Sequence, residues 1–200
     1  MKRLCVYCGS SAGKSEDYAD GARALAETLI QCDIDLVFGG SSAGTMGLLA
    51  DAVLAGGGTV HGVIPRSLLE KEVAHPGLTE MHVVESMHAR KAKMAVLSDG
   101  FIALPGGFGT LEEIIEILTW AQLRFHDKPC GLLNVNGYFN NLLSFLNHAE
   151  AEGFVRTAHR QMLLVSEKPG DLIRRFESYV PPTIDKWTLR STRDAGDPIV

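Results

Sequence analysis

Short apolar runs rich in β-branched residues alternate along the chain with longer stretches in which apolar residues recur every three or four positions. The stretch from Tyr18 to Ile30 shows the second pattern, with Ala22, Leu25 and Leu29 on one side. This spacing predicts an amphipathic helix, whereas the short runs predict buried strands. The predicted strands are Arg3 to Tyr7, Asp35 to Phe38, Val60 to Ile64, His82 to Val84, Gly100 to Leu104, Cys130 to Leu133 and Met162 to Val165. The predicted helices are Tyr18 to Ile30, Met46 to Ala55, Met87 to Leu97, Leu111 to Leu123, Phe139 to Ala151 and Pro169 to Phe176.

The repeated order of strand and helix predicts an α/β fold with a parallel sheet covered by helices on both faces. Because crossover connections are right-handed, we expect a Rossmann-like doubly wound parallel sheet of about seven strands. The length of 200 residues predicts a single domain over residues 1–180, followed by a C-terminal tail over residues 181–200. The connection from Arg66 to Thr79 is predicted to be irregular.

Composition and charge exclude several classes of protein. Apolar residues make up 46% and charged residues 22% of the chain, which is typical of a globular protein and excludes a largely disordered one. The formal net charge of -5 disfavours a domain that binds nucleic acid through excess positive charge. The sequence shows neither a signal-peptide pattern nor an apolar run long enough to cross a membrane. We therefore expect a cytoplasmic protein with neither a nucleic-acid nor a membrane partner.

Cys5 and Cys8 form a C-x-x-C pattern, which is found in redox sites and in halves of zinc sites. Here the pair begins inside a predicted strand, where residues three apart point to opposite faces. Redox pairs of the thioredoxin type stand at the start of a helix instead. No second C-x-x-C or close His-x-His pattern completes a zinc site with this pair. We interpret the cysteines as structural and expect neither a metal nor a cofactor.

The 21 glycines exceed the average share of about 7%, and many of them follow predicted strands. They lie in residues 8–14 after the first strand, residues 39–47 after the second and residues 105–110 after the fifth. Ligands of doubly wound sheets bind at this edge. Glycine lets the backbone approach a ligand closely, and a helix N-terminus binds anions. The three turns therefore indicate a nucleotide-sized ligand with a phosphate, although the P-loop pattern and a clean G-x-G-x-x-G are absent.

Charged residues accompany the third glycine-rich turn. Glu112, Glu113 and Glu116 fall in the first two turns of the helix that follows it. Acidic residues stabilise a helix N-terminus, but three of them beside a phosphate repel one another and the ligand, which indicates a chemical task for one carboxylate. Arg90 and Lys91 begin the preceding helix on the same edge of the sheet, where Arg90 could reach a phosphate or a sugar. His88 is interpreted as a structural or rim residue.

The sequence Pro105-Gly106-Gly107-Phe108-Gly109-Thr110-Leu111-Glu112-Glu113 matches the pattern PGGxGTxxE, and Met87-His88-Ala89-Arg90-Lys91 precedes it. With these motifs the chain resembles the LONELY GUY (LOG) family, once labelled "lysine decarboxylase-like", over residues 2–187. The resemblance implies a Rossmann-like homodimer that hydrolyses the N-glycosidic bond of a cytokinin riboside 5'-monophosphate, giving a free purine base and ribose 5-phosphate without a cofactor. It does not imply lysine decarboxylation, because no lysine site for pyridoxal phosphate is evident.

The resemblance also assigns site residues. It implies that Arg90 and Glu113 are catalytic. It places substrate contacts at Glu72, Lys91, Thr119 and the segment Gly107, Phe108, Gly109, Thr110, Leu111 and Glu112. We expect further substrate contacts at Gly9, Ser10, Gly44, Met87, Gly106 and Glu116.

One glycine-rich loop departs from the pattern of the family. Ser41 and Thr45 stand where the family usually has glycine and leucine, so the base selectivity stays open. Two alternatives to a cytokinin-forming hydrolase remain at this point. One is a general hydrolase of purine nucleoside monophosphates such as AMP, and the other is a nucleotide-binding or carrier protein without catalysis.

Overall fold

The computed structural model describes residues 1–69 and 74–183. The strands are β1 (Arg3–Tyr7), β2 (Asp35–Phe38), β3 (Val60–Pro65), β4 (Glu80–Val84), β5 (Gly100–Ala103), β6 (Cys130–Leu133) and β7 (Leu163–Ser166). The α-helices are α1 (Glu16–Gln31), α2 (Gly44–Ala55), α3 (Arg66–Leu69), α4 (Met87–Leu97), α5 (Phe108–Gln122), α6 (Asn140–Ala151), α7 (Thr157–Arg160) and α8 (Pro169–Glu177). A 3-10 turn covers Val135–Gly137. None of the helices in the described ranges is long and apolar enough to cross a membrane.

The seven strands form one parallel sheet in the order β4-β3-β2-β1-β5-β6-β7. This arrangement confirms the predicted Rossmann-like fold. The chain first builds the sheet outward from β1 to β4 and then returns to place β5 on the other side of β1. Strand order therefore reverses between β1 and β5, and in open α/β sheets this reversal opens a crevice at the carboxyl ends of the strands.

Each face of the sheet packs against helices around its own hydrophobic core. Strand β1 alternates in the expected way, because Leu4 and Val6 belong to the core that α1, α2 and α8 cover. Cys5 and Tyr7 belong to the opposite core, which α4, α5 and α6 cover. Cys8 lies in the first core, so the two cysteines of the C-x-x-C pattern face opposite sides of the sheet.

The structure differs from the predicted elements mainly at their ends. Helix α5 begins at Phe108 rather than at Leu111, because the glycine-rich turn itself enters the helix with Gly107 as N-cap. The connection predicted to be irregular from Arg66 to Thr79 opens with the short helix α3. Residues 184–200 of the predicted tail, and the predicted substrate contact Glu72, lie outside the described residues. The domain boundary at residue 180 stays a prediction.

Candidate active site

Two adjoining cavities lie at the carboxyl ends of β1 and β5, where the strand order reverses. The first has a volume of about 260 Å³ and the second of about 270 Å³. Both are lined by Gly9, Ser10 and Gly107, so they form one continuous cleft. Each cavity alone is below the ~300 Å³ lower bound of ordinary ligand sites. The joined cleft reaches the size that a nucleotide requires.

Glycines in and beside this cleft allow loops from different strands to approach one another. Gly44 begins α2 with a φ of +57°, and a Cβ at this position would overlap the backbone of Ser10 and Ser11. A Cβ at Gly106 would overlap the side chain of Thr110. The loops after β1, β2 and β5 therefore pack backbone against backbone, which only residues without a side chain permit.

The N-terminus of α5 faces the cleft. Gly107 is its N-cap and has no side chain to satisfy the first backbone N–H groups. Gly107, Phe108, Gly109 and Thr110 all line the first cavity, and a Cβ at Gly107 or Gly109 would meet open space. Free N–H groups and the positive end of the helix dipole point into the cleft, which is the arrangement that binds phosphate.

Arg90 is the buried cation of the cleft. Its side chain is only 7% exposed, and Nη2 donates a hydrogen bond to the carbonyl oxygen of Gly39 at 3.3 Å. Its Nη1 lies 3.8 Å from the sulfur of Met87. Among the described residues its Nε is buried without a hydrogen-bond partner. A buried guanidinium with an unused donor is poised for an anionic or polar ligand.

Glu113 lies on the first turns of α5 and lines the same cavity as Arg90. Burial raises the pKa of its carboxyl to about 7, and the negative charges of Glu112 and Glu116 act in the same direction. The charges of Arg90 and Lys91 oppose this rise. Near neutral pH the side chain therefore exchanges a proton readily, which is the property expected of a catalytic acid or base.

Lys91 contacts carboxylates rather than the cleft. Its Nζ donates to Oε1 of Glu112 at 2.5 Å and to Oε1 of Glu116 at 2.9 Å. Lys91 thereby pairs with two of the three acidic residues at the start of α5 and offsets about half of their combined charge. This pairing relieves part of the crowding of acidic residues noted in the sequence, and of these three carboxylates only Glu113 has no ion-pair partner among the described residues.

The structure brings most of the predicted site residues together. The first cavity is lined by Gly9, Ser10, Met87, Arg90, Gly107, Phe108, Gly109, Thr110, Glu112 and Glu113. Gly106 lines the second cavity. Gly44, Lys91, Leu111, Glu116 and Thr119 line neither cavity. The hydroxyl of Thr119 donates a hydrogen bond to the carbonyl oxygen of Ile115. Gly44 packs against the backbone of Ser10 and Ser11.

Several lining residues were not expected from the sequence. Met46 and Met94 reach the first cavity from α2 and α4, and Tyr18 and Tyr138 close the second. The two tyrosine rings meet edge to face with centroids 5.5 Å apart, and the Tyr138 hydroxyl donates to the carbonyl oxygen of Gly106 at 2.6 Å. Met46 lies in the glycine-rich turn over residues 39–47, but Met94 and the two tyrosines stand outside the three turns, so only the fold reveals them.

The buried cysteines Cys5, Cys8 and Cys130 lack the properties of reactive thiols. Cys5, Cys8 and Cys130 are buried free thiols, and burial raises the pKa of each thiol well above its usual value. A reactive cysteine requires a lowered pKa and access to solvent. This finding agrees with the structural interpretation of the C-x-x-C pattern.

The fold and the cleft place the protein among Rossmann-like α/β proteins with a ligand site at the reversal of strand order. Comparison with known proteins narrows this class. Residues 46–176 match the family described as "Possible lysine decarboxylase". The chain is 50% identical over 192 residues to the probable cytokinin riboside 5'-monophosphate phosphoribohydrolase LOGL5 of Oryza sativa subsp. japonica, covering 96% of this chain and 78% of that protein. It is 51% identical over 181 residues to the cytokinin riboside 5'-monophosphate phosphoribohydrolase LOG1 of Arabidopsis thaliana, covering 90% of this chain and 85% of that protein. The chain belongs to the LONELY GUY family.

Solved structures confirm the fold at lower sequence identity. The molybdenum cofactor carrier protein of Chlamydomonas reinhardtii superposes with a TM-score of 0.67 at 20% identity, covering 89% of this chain and 99% of that one. The molybdenum cofactor binding protein of Rippkaea orientalis superposes with a TM-score of 0.66 at 21% identity, covering 89% and 97%. Identity at this level supports a shared fold. It does not show that the proteins bind the same ligand.

Proposed function

We propose that the protein is a phosphoribohydrolase that cleaves the N-glycosidic bond of N6-substituted adenosine 5'-monophosphates, releasing a cytokinin base and ribose 5-phosphate. The observation that carries this proposal is a carboxyl group with a pKa near 7, Glu113, held beside the buried Arg90 in the cleft at the start of α5. The names of the relatives at about 50% identity support the substrate class. Homodimerisation and a cytoplasmic location stay predictions from the sequence.

The 5'-phosphate is assigned to the N-terminus of α5. Its backbone N–H groups and the hydroxyl of Thr110 offer hydrogen bonds to the phosphate oxygens, which carry about -1.5 to -2 charges at neutral pH. Lys91 assists indirectly, because its single positive charge, paired to Glu112 and Glu116, offsets part of the negative charge that would repel the phosphate. Anchoring the phosphate positions the ribose against Glu113.

Cleavage of the ribosyl–purine bond places positive charge on the sugar and negative charge on the base. The transition state resembles the oxocarbenium ion of glycoside hydrolysis. Ionised Glu113 stabilises this cation and orients or deprotonates the attacking water, whose oxygen forms the new bond to the anomeric carbon. The electron pair of the broken bond leaves with the base, which takes up a proton.

Arg90 is suited to two tasks in this reaction. Its guanidinium can hold the ribose or phosphate of the substrate, or it can stabilise the negative charge on the departing base. In both cases the interaction is strong because Arg90 is buried and the surrounding dielectric is low. Glu113 and Arg90 thus bring opposite charges to the reacting part of the cleft.

A direct assay tests the proposal. We expect the purified protein to release free base from N6-isopentenyladenosine 5'-monophosphate with a higher kcat/KM than from AMP, measured by chromatography of the base. Equal or faster cleavage of AMP would contradict the cytokinin assignment and identify a general purine nucleotide hydrolase. Absence of base release from both, together with nucleotide binding by calorimetry, would identify a non-catalytic binder.

The raised pKa of Glu113 predicts the pH dependence of the reaction. Because the ionised form is the active one, kcat/KM should rise with pH and approach its plateau above a midpoint near 7. Lys91 lowers the pKa of Glu113 directly and also screens Glu112 and Glu116, which raise it. The variant Lys91→Met should therefore shift the rising limb to higher pH. The substrate phosphate also titrates in this range, but it does so identically in assays of the parent protein and of Lys91→Met. A shift between the two profiles therefore reports a group of the protein, and an unshifted limb in Lys91→Met would count against Glu113 as that group.

A further inference from the structure

A second cluster of side chains that could bind a ligand lies at the amino-terminal ends of β3 and β4. The cleft lies at the opposite, carboxyl ends of the strands. His61 is the second residue of β3, and Glu80 and His82 are the first and third residues of β4. In the register of the sheet, His61 stands directly opposite Glu80. Glu80 and His82 are two residues apart on one strand, so all three side chains point to the same face.

The three side chains are spaced as metal ligands. One ligand atom from each lies within 4.8 Å of the other two. Nδ1 of His61 is 3.1 Å from Oε2 of Glu80, and Nε2 of His82 is 3.5 Å from the same oxygen. Bonds of 2.0–2.2 Å to Zn²⁺ in a tetrahedral site bring ligand atoms about 3.4 Å apart. Both histidine–glutamate distances are close to this value.

The second nitrogen of His61 is also engaged. Its Nε2 lies 3.4 Å from Oδ2 of Asp35, the first residue of β2. Histidines that bind metals through one ring nitrogen usually donate the other N–H to a carboxylate or a carbonyl group. Asp35 would fix the ring so that Nδ1 turns its lone pair toward Glu80 and His82.

A chain of ion pairs across the sheet is the alternative explanation, with a protonated His61 between the two carboxylates and Arg3 paired to Asp35 at 3.5 Å. That explanation gives His82 only a weak part, because its Nε2 lies 3.5 Å from Oε2 of Glu80 without forming a hydrogen bond. This Nε2 atom is buried and has no hydrogen-bond partner among the residues that the structure describes. A buried polar atom without a partner is costly, and a coordination bond at this position would satisfy it.

We propose that His61, Glu80 and His82 form a binding site for a divalent transition metal ion of the zinc class, with Asp35 as the residue that orients His61. Two imidazoles and one carboxylate suit Zn²⁺ and leave a fourth position for water. Glu80 is half exposed, so the ion can enter from solvent. The site joins the edge strand β4 to β3 and lies away from the cleft, so its role is to stabilise the edge of the sheet. This inference does not depend on the proposed hydrolase activity.

Zinc titration of untagged, chelator-treated protein tests the site. A Cys32→Ser background removes the exposed thiol, which could bind zinc by itself. In calorimetry we expect one equivalent of Zn²⁺ to bind, and we expect His82→Ala and Glu80→Gln to weaken this binding at least tenfold. His148→Ala is the matched control, because His148 is an exposed histidine on α6, and it should bind zinc as the parent protein does.

Thermal unfolding gives a second readout. Zinc should raise the Tm of the parent protein and of His148→Ala, since an ion that binds only the folded state stabilises it. The Tm of His82→Ala should not respond. Zinc binding that is equally strong in His82→Ala and the parent, or the absence of any stoichiometric binding to the parent, would overturn the proposal.

Discussion

Replacing Glu113 by glutamine is expected to lower the rate of base release by about 10² to 10⁴-fold, the range typical of a lost general base. The amide keeps the shape of the side chain but can neither carry the negative charge that stabilises the sugar cation nor accept a proton from water. The loss should appear in kcat, because the interaction is strongest in the transition state. Release of the base from N6-isopentenyladenosine 5'-monophosphate at saturating substrate measures it.

A stability measurement separates lost chemistry from a lost fold. The pKa of Glu113 in the folded protein, about 7, lies above the ordinary value of 4.5. Ionisation of this group therefore opposes folding, increasingly as pH rises from 4.5 through 7. Glutamine cannot ionise, so at pH 8 the Tm of Glu113→Gln should equal or exceed that of the parent.

The matched control is Glu116→Gln, the same substitution about one turn further along α5. Glu116 is bound by Lys91 and does not line the cavity, so its loss should cost less than about tenfold, the ordinary size of an effect from outside the reacting atoms. If Glu113→Gln and Glu116→Gln lost activity equally, or if Glu113→Gln turned over at the parent rate, Glu113 would not be the catalytic carboxylate.

The strands, their parallel arrangement and the position of the cleft could be predicted from the sequence because each depends on local patterns, whereas the order of the strands was not predicted. Apolar runs predicted the strands, and glycine-rich turns predicted which ends of them meet a ligand. Arg90 and Glu113 belong to different helices, yet both lie near the carboxyl edge of a predicted strand. Their convergence on one cavity follows from the parallel arrangement of the sheet.

Contacts between side chains of different elements could not be predicted in this way. Arg90 and Lys91 are adjacent in sequence and appear equivalent as cations. On α4 they point in different directions, so that Arg90 enters the cleft whereas Lys91 contacts the carboxylates of α5. Their separate roles depend on the rotation of α4 relative to α5, which the periodicity of α4 alone does not fix.

Ser41, which replaces the usual glycine of the family, is a second residue whose contacts the sequence could not predict. The sequence left the base selectivity open, because Ser41 stands where the family usually has glycine in the loop after β2. In the structure Ser41 is fully buried, and its hydroxyl accepts a hydrogen bond from the backbone N–H of Ala43 at 3.1 Å. Serine therefore replaces the flexibility of glycine with a local turn that its own side chain stabilises. Neither Ser41 nor Gly44 lines either of the two cavities.

Replacing Arg90 by alanine is expected to reduce kcat/KM by about 10² to 10³-fold, comparable to the loss of one strong electrostatic contact in a transition state. The substitution removes the buried cation that faces the substrate and also the charge that lowers the pKa of Glu113. The rising limb of the pH profile should therefore move to higher pH as the rate falls. Kinetics across this pH range measure both effects, and parent-like activity with an unshifted limb would exclude Arg90 from catalysis.

Gly39→Ala tests the position of Arg90 without removing it. A Cβ at Gly39 would overlap Nη2 of Arg90, which now donates to the carbonyl oxygen of the same glycine. The backbone of Gly39 does not require a positive φ, so alanine is strained mainly by this side chain, with a smaller contribution from the sulfur of Met46 at 3.1 Å. We expect the guanidinium to be displaced and kcat/KM to fall in the direction of Arg90→Ala. Gly170→Ala is the control, because a Cβ there makes only ordinary contact with Arg174 on α8. Undiminished activity in Gly39→Ala would mean that the observed position of the guanidinium is not the one that catalysis uses.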